Sequence, residues 1–107
     1  MCAGINFIIL PMVQNEAFKI IKDYFADKPV KRVQVFGSYA RNQARTSSDI
    51  DLIVTMDHPV GLISLAGYML DLETLLKKKV DLSTEAAISP EFYRIIQGDL
   101  KIVYERD

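Results

Sequence analysis

The segment VFGSYARNQARTSSDIDLIV, residues 35–54, holds two features that a purely structural strand does not need. Gly37 and Ser38 follow a short run of β-forming residues, and Asp49 and Asp51 stand at the head of a second, apolar run. In a strand, residues i and i+2 point to the same face, so the two carboxylates project together. Like charges this close repel one another unless a cation lies between them. The segment therefore predicts two strands that meet at a polar, cation-binding edge.

Outward from this segment, hydrophobic periodicity predicts an alternation of helices and strands. Apolar residues recur at steps of three and four in two stretches, as in amphipathic helices, and β-rich runs lie between them. The predicted elements are a helix at 13–25, a strand at 33–36, a short helix or turn at 38–43, a strand at 50–55, a helix at 62–76, a strand at 80–84, a helix from 89 or 90 to 96, and a final strand or tail at 100–105. This order predicts an α/β or α+β domain, with helices packed on a small mixed sheet whose centre is the apolar strand at 50–55.

A third acid stands in the later strand at 80–84. There Val80 and Leu82 would face the core and leave Asp81 on the other side, with Glu85 as a reserve candidate. If this strand pairs with the strand of the two earlier acids, about 4.8 Å separates the backbones and all three carboxylates lie together. Oxygen ligands of this kind suit Mg²⁺, and the third acid could complete the metal set or take a proton from an attacking hydroxyl.

Ordinary structural roles compete with this interpretation. Asp49 could cap a turn after Ser48 while Asp51 pairs with a basic side chain, and Asp81 could form a salt bridge with a lysine. Ser38 could be a simple helix N-cap. Against these roles, a strand that ends in Gly-Ser offers close backbone approach, a hydroxyl and free N–H groups to a phosphate. Phosphate donors and metal carboxylates on consecutive strands favour a metal and phosphate site.

Composition limits the class of protein. A chain of 107 residues, 50% hydrophobic and 25% charged, predicts a single domain over 1–107 with its core at about 13–104. Thirteen basic against fourteen acidic residues give a net charge of −1, so no overall field attracts nucleic acid and no direct nucleic-acid binding is expected. The single Cys2 excludes an internal disulfide framework and suits a reducing cytosol. The apolar run at 7–10 is too short to span a bilayer, so we expect a cytoplasmic protein with no membrane contact.

The combined pattern resembles a known family. A Gly-Ser pair, ten intervening residues, an Asp-Ile-Asp and a later Val-Asp-Leu are similar to the signature of the minimal nucleotidyltransferases of the DNA polymerase β-like superfamily. The resemblance implies the nucleotidyltransferase fold over nearly the whole chain. It implies nucleotide binding by Gly37 and Ser38, and it makes Asp49, Asp51 and Asp81 both the Mg²⁺ ligands and the catalytic residues.

Further residues near the Gly-Ser pair carry expectations of their own. Arg41 matches the frequent Gly-Ser-x-Ala-Arg start of the family, and it could contact a nucleotide phosphate or pair with the Asp edge. The family commonly has Gly after that Arg, whereas this chain has Asn42, which tolerates left-handed backbone. Tyr39 could stack on a base or ribose, or pack beside the site. The lysines at 77–79 are expected to complement the dipole of a helix C-terminus.

The resemblance also implies a function. Stand-alone members of the family are typically encoded beside a HEPN-domain protein, as antitoxins to a HEPN ribonuclease toxin, and some transfer AMP from ATP to a Tyr of that toxin. The leading hypothesis is therefore Mg²⁺-dependent transfer of AMP from ATP to a HEPN toxin. One alternative is a binding antitoxin or nucleotide-sensing module that acts by contact. A third is a small-molecule transferase like the aminoglycoside nucleotidyltransferases, although the short chain leaves no substrate domain. For a chain without a substrate domain, we expect either that the acceptor is a partner protein or that a second copy in a homo-oligomer completes the acceptor site.

Overall fold

The computed structural model describes residues 14–41 and 49–106, and these form a four-stranded sheet packed with helices. The elements are α1 (Gln14–Phe25), β1 (Val30–Phe36), β2 (Ile50–Met56), α2 (Leu62–Leu76), β3 (Val80–Thr84), a 3₁₀ turn (Glu85–Ala87), α3 (Pro90–Ile96) and β4 (Lys101–Glu105). The predicted class, a small mixed sheet packed with helices, is confirmed.

The strands lie in the order β3-β2-β1-β4. β1 runs antiparallel to both of its neighbours, β2 and β4, whereas β2 and β3 run parallel. Parallel neighbours need a crossover connection, and α2 supplies it. As its apolar sequence predicted, β2 lies inside the sheet: Ile50, Leu52 and Val54 are fully buried, and Ile53 on the opposite face is 2% exposed. The parallel pairing brings the first residues of β2 and β3 to the same end of the sheet.

The first two helices pack against the sheet and against each other. α1 buries Ala17, Ile21 and Phe25 completely, one residue in each turn. At the end of α1, the ring of Phe25 meets Tyr68 of α2 edge to face, with 6.1 Å between the ring centroids. This contact joins the end of α1 to α2.

α2 is apolar on nearly all sides. Leu72 and Leu76 face the core, while Leu62, Ile63 and Leu70 on its outer face are 83%, 90% and 57% exposed. A helix that is hydrophobic all round normally has neighbours on more than one side. The outer face of α2 is instead an exposed apolar surface, which is typical of a site where another molecule binds. Within the described ranges, no helix has the length and apolar character needed to cross a membrane.

One predicted boundary is wrong. β1 begins at Val30 and not at 33, because Val30 is buried opposite Met56 while an irregularity before Arg32 interrupts the alternation that a strand normally shows. Of the short helix or turn predicted at 38–43, the structure shows a single hydrogen-bonded turn as far as it is described, with Arg41 N donating to Gly37 O at 3.1 Å. The remaining two positions of that segment, and Ser48, lie outside the described residues.

Candidate active site

The acids of β2 and β3 meet at the end of the sheet where both strands begin, and we call this group of Asp49, Asp51 and Asp81 the acid edge. Asp51 and Asp81 are partners in the parallel register, so their side chains project from the same face of two neighbouring strands. Asp49, which directly precedes β2, is exposed and near enough for its charge to act on Asp51. The structure therefore aligns Asp51 with Asp81, and the joint role of these two residues and Asp49 as metal ligands stays a prediction.

The pKa of Asp51 reflects this crowding. The pKa of Asp51 is raised from its usual 3.8 to about 6. Burial is the largest cause, followed by hydrogen bonding to Asp81, the negative charge of Asp81 and then the negative charge of Asp49. The half-buried carboxylate is thus costly to ionise beside its neighbours. A cation placed between the acids would lower that cost, because its positive charge would offset the charges of the carboxylates.

The donor chemistry of this edge fits Mg²⁺. Asp49, Asp51 and Asp81 offer oxygen ligands only, which magnesium prefers. Across residues 14–41 and 49–106, no three acidic, His or Cys side chains are already arranged as a metal cage. Magnesium does not need one, because it commonly binds through one or two carboxylates and completes its shell with water and substrate phosphates. The arrangement suits an ion that is shared with a bound nucleotide.

Gly37 brings the backbone against this acid pair. Its φ is +80°, a conformation that favours glycine, and a Cβ at this position would lie 2.6 Å from Oδ2 of Asp51. Any side chain here would have to displace the carboxylate. The half-buried Ser38 follows directly, so the turn predicted to bind phosphate adjoins the predicted metal ligands.

The turn after Gly37 is held in place from the core side. Tyr39 and Ala40 are each 1% exposed, and Nε2 of Gln14 donates to their backbone oxygens at 2.8 and 3.3 Å. Burial also raises the pKa of the Tyr39 phenol, and Nζ of Lys78 lies 5.8 Å from its ring centroid. For Tyr39 the packing interpretation is correct and stacking on a base is wrong. Sequence reasoning missed Gln14, because one polar residue at a helix start carries no signal of a distant contact.

Arg41 connects the turn to another part of the fold. Its Nη1 donates to Oδ2 of Asp99 at 2.8 Å, which ties the turn to the segment between α3 and β4. The ion pair predicted for Arg41 was with the Asp edge, whereas the ion pair seen here is with Asp99, which the sequence pattern did not indicate. The nucleotide contact of Arg41 stays a prediction, and Asn42 lies outside the described residues.

Glu85 is not part of the acid edge. It follows β3 at the opposite end from Asp81, where its Oε2 accepts a hydrogen bond from Oγ1 of Thr55 at 3.0 Å and lies 3.6 Å from Nη1 of Arg32. The reserve role proposed for Glu85 from sequence is therefore wrong. A strand of five residues separates its ends too far for side chains to meet.

Comparison with known proteins assigns this arrangement to a family. The family model for the nucleotidyltransferase domain matches residues 15–103. The chain belongs to the nucleotidyltransferase family. This nucleotidyltransferase is 43% identical over 76 residues to a Methanocaldococcus jannaschii chain named as a protein adenylyltransferase, covering 71% of this chain and 82% of the relative. It is 34% identical over 59 residues to the protein adenylyltransferase MntA of Thermococcus cleftensis, covering 55% and 60%.

Solved structures share the fold of this nucleotidyltransferase. One, described as a minimal nucleotidyltransferase, has a TM-score of 0.72 and 30% identity and covers 84% of this chain and 95% of its own. Another is a chain in the complex of a tri-AMPylated Shewanella oneidensis HEPN toxin with an MNT antitoxin. Its TM-score is 0.69 at 20% identity, covering 87% and 73%. The predicted nucleotidyltransferase fold and enzyme class are confirmed.

Proposed function

We propose that this nucleotidyltransferase transfers AMP from ATP to a protein, with Mg²⁺ held by Asp49, Asp51 and Asp81. The observation that carries the proposal is the alignment of Asp51 with Asp81 on neighbouring strands, with the carboxylate of Asp51 against the backbone of Gly37. This arrangement supports a cation-binding group beside a turn suited to phosphate. The relatives named as protein adenylyltransferases support AMP as the transferred group and a protein as the acceptor.

In the proposed reaction, an acceptor hydroxyl attacks the α-phosphorus of ATP in line. The new oxygen–phosphorus bond forms as the bond to the β-phosphate oxygen breaks, and pyrophosphate leaves. The backbone at Gly37 and the hydroxyl of Ser38 orient the phosphates, and Asp81 accepts the proton that the attacking hydroxyl loses. Bound Mg²⁺ supplies neutralisation of charge on the phosphoryl oxygens.

The proposed acceptor and partner is a HEPN-domain toxin, which this chain neutralises as an antitoxin. A structural neighbour of this fold comes from a complex of a HEPN toxin with an MNT antitoxin, and that toxin is AMPylated. In this proposal the partner supplies the acceptor side of the site. The exposed apolar face of α2, with Leu62, Ile63 and Leu70, offers a surface for that partner. The proposed location is the cytoplasm, which would supply ATP and the reducing environment that suits the single Cys2.

The test is intact-mass spectrometry of a HEPN-domain protein, the proposed partner, after incubation with this chain, ATP and Mg²⁺. We expect the mass of one or more AMP groups to be added, and the addition to vanish with Asp49→Ala and when Mg²⁺ is chelated. A stable complex without any mass change would contradict transfer and would favour the binding antitoxin. Transfer to an aminoglycoside and not to the HEPN protein would favour the small-molecule enzyme.

A further inference from the structure

A fourth carboxylate is built into the region behind the acid edge. Glu73 lies in the last turns of α2, and its Oε2 accepts a hydrogen bond from the backbone N of Val80 at 3.0 Å. Val80 is the first residue of β3 and directly precedes Asp81. Glu73 is half-buried and Val80 is 1% exposed, so the bond is largely shielded from water. The helix that crosses over the sheet thus holds the strand that follows it.

This bond acts on the unsupported side of an edge strand. β3 lies at the edge of the sheet, so only its inner side has a neighbouring strand, and there the ladder aligns Asp81 with Asp51. On its outer side the N–H of Val80 has Glu73 as its acceptor. A buried N–H that loses its acceptor is costly, and the first residues of an edge strand are the ones that fray most readily. Glu73 therefore secures the part of β3 that carries Asp81.

We propose that Glu73 is a positioning residue for the transfer reaction, which acts by fixing Val80 and so the placement of Asp81 against Asp51. The inference rests on the proposed function. Small displacements of a reacting group are costly, because the reaction depends on an aligned geometry. The hydrogen bond of Glu73 is to the backbone N of Val80 and not to any of the three acids, so its effect passes through the backbone of β3.

Two variants separate the hydrogen bond from the charge of Glu73. Glu73→Ala removes the acceptor, whereas Glu73→Gln keeps an acceptor oxygen of similar reach and removes the charge. Asp71→Ala is the matched control. It removes another side-chain bond from the same helix, in which the Tyr24 hydroxyl donates to Oδ2 of Asp71 at 2.6 Å, but that bond links α2 to α1 and not to β3.

The experiment measures AMP transfer by the full chain at saturating and limiting ATP, together with backbone hydrogen exchange at 80–82. For Glu73→Ala we expect kcat to fall roughly tenfold or more with less than about a twofold change in KM, and exchange at 80–82 to speed up. Glu73→Gln should stay within about threefold of the wild-type kcat with normal exchange, and Asp71→Ala should keep kcat.

Several results would overturn the proposal. These are an unchanged kcat in Glu73→Ala, a loss in Glu73→Gln as large as in Glu73→Ala, or an equal loss in Asp71→Ala, which would mean general destabilisation. If the wild-type chain transfers no AMP at all, the proposed function fails and hydrogen exchange still decides the structural step. Unchanged exchange at 80–82 in Glu73→Ala would then show that Glu73 does not hold β3.

Discussion

Gly37 is a residue whose replacement the structure tolerates poorly. Its φ of +80° would strain any other residue, and a methyl group here would meet Oδ2 of Asp51 at 2.6 Å. We expect Gly37→Ala to lower the free energy of unfolding by about 1 to 2 kcal/mol and to weaken Mg²⁺ binding, as measured by urea unfolding and calorimetry. Gly67→Ala is the control, because that glycine lies in α2 with open space around it. There alanine should stabilise the helix by up to about 1 kcal/mol. Equal stability of the two variants would contradict the close contact at Gly37.

Asp51 makes stability depend on pH. Its folded-state pKa, about 6, lies above the usual 3.8, so the protonated carboxyl stabilises the fold. That contribution is fully present below pH 3.8 and is lost as the pH rises through 6. Without divalent cations, Asp51→Asn should therefore be more stable than the wild type at pH 8, and the difference should shrink toward pH 4. Urea unfolding in chelator at both pH values measures this.

The same variant separates stability from activity. Asp51→Asn should transfer no AMP although it folds well, because the amide cannot bind Mg²⁺ as a carboxylate does. A less stable Asp51→Asn variant at pH 8 would mean that the carboxylate has a structural partner. In that case the crowding of Asp51 and Asp81 would not be the main influence on this residue.

Single residues divide clearly into those that sequence reasoning could find and those that it could not. Asp49, Asp51 and Asp81 could be found, because alternation within a strand fixes which side chains share a face. Gln14 and Glu73 could not, because each is one of several polar residues on its helix and its partner is a backbone group. A backbone partner leaves no complementary residue type in the sequence.

At the scale of elements, strong periodicity was a reliable guide and short segments were not. α2 and β2 were predicted within one residue of their observed bounds, because their apolar patterns are long or continuous. β1 was predicted three residues too short, since its irregular pairing near Val30 breaks the alternation. The segment after Gly37 was predicted only as a short helix or turn, because a Ser followed by small and polar residues suits an N-cap as well as a turn.

At the scale of the whole molecule, the outer face of α2 predicts where a partner binds. Ile63 is 90% exposed on a helix with few charges, whereas Ile95 of α3 is 77% exposed beside Arg94 and close to Glu91. We expect Ile63→Ser to weaken the complex with the HEPN-domain protein by roughly tenfold or more, since apolar residues at an interface centre dominate binding. Calorimetric titration measures the affinity. Ile95→Ser is the control and should bind normally. A normal affinity in Ile63→Ser would place the partner elsewhere.

Parallel pairing of β2 and β3 also governs the order in which the chain folds. Asp51 and Asp81 come together only after the whole of α2 has crossed the sheet and β3 has docked beside β2. Contacts between distant positions form late, because the intervening chain must first be ordered. Without a cation, repulsion between the two acids opposes this last docking step. Mg²⁺ should therefore speed the final phase of refolding, and a partly folded chain should have no site at which to bind ATP.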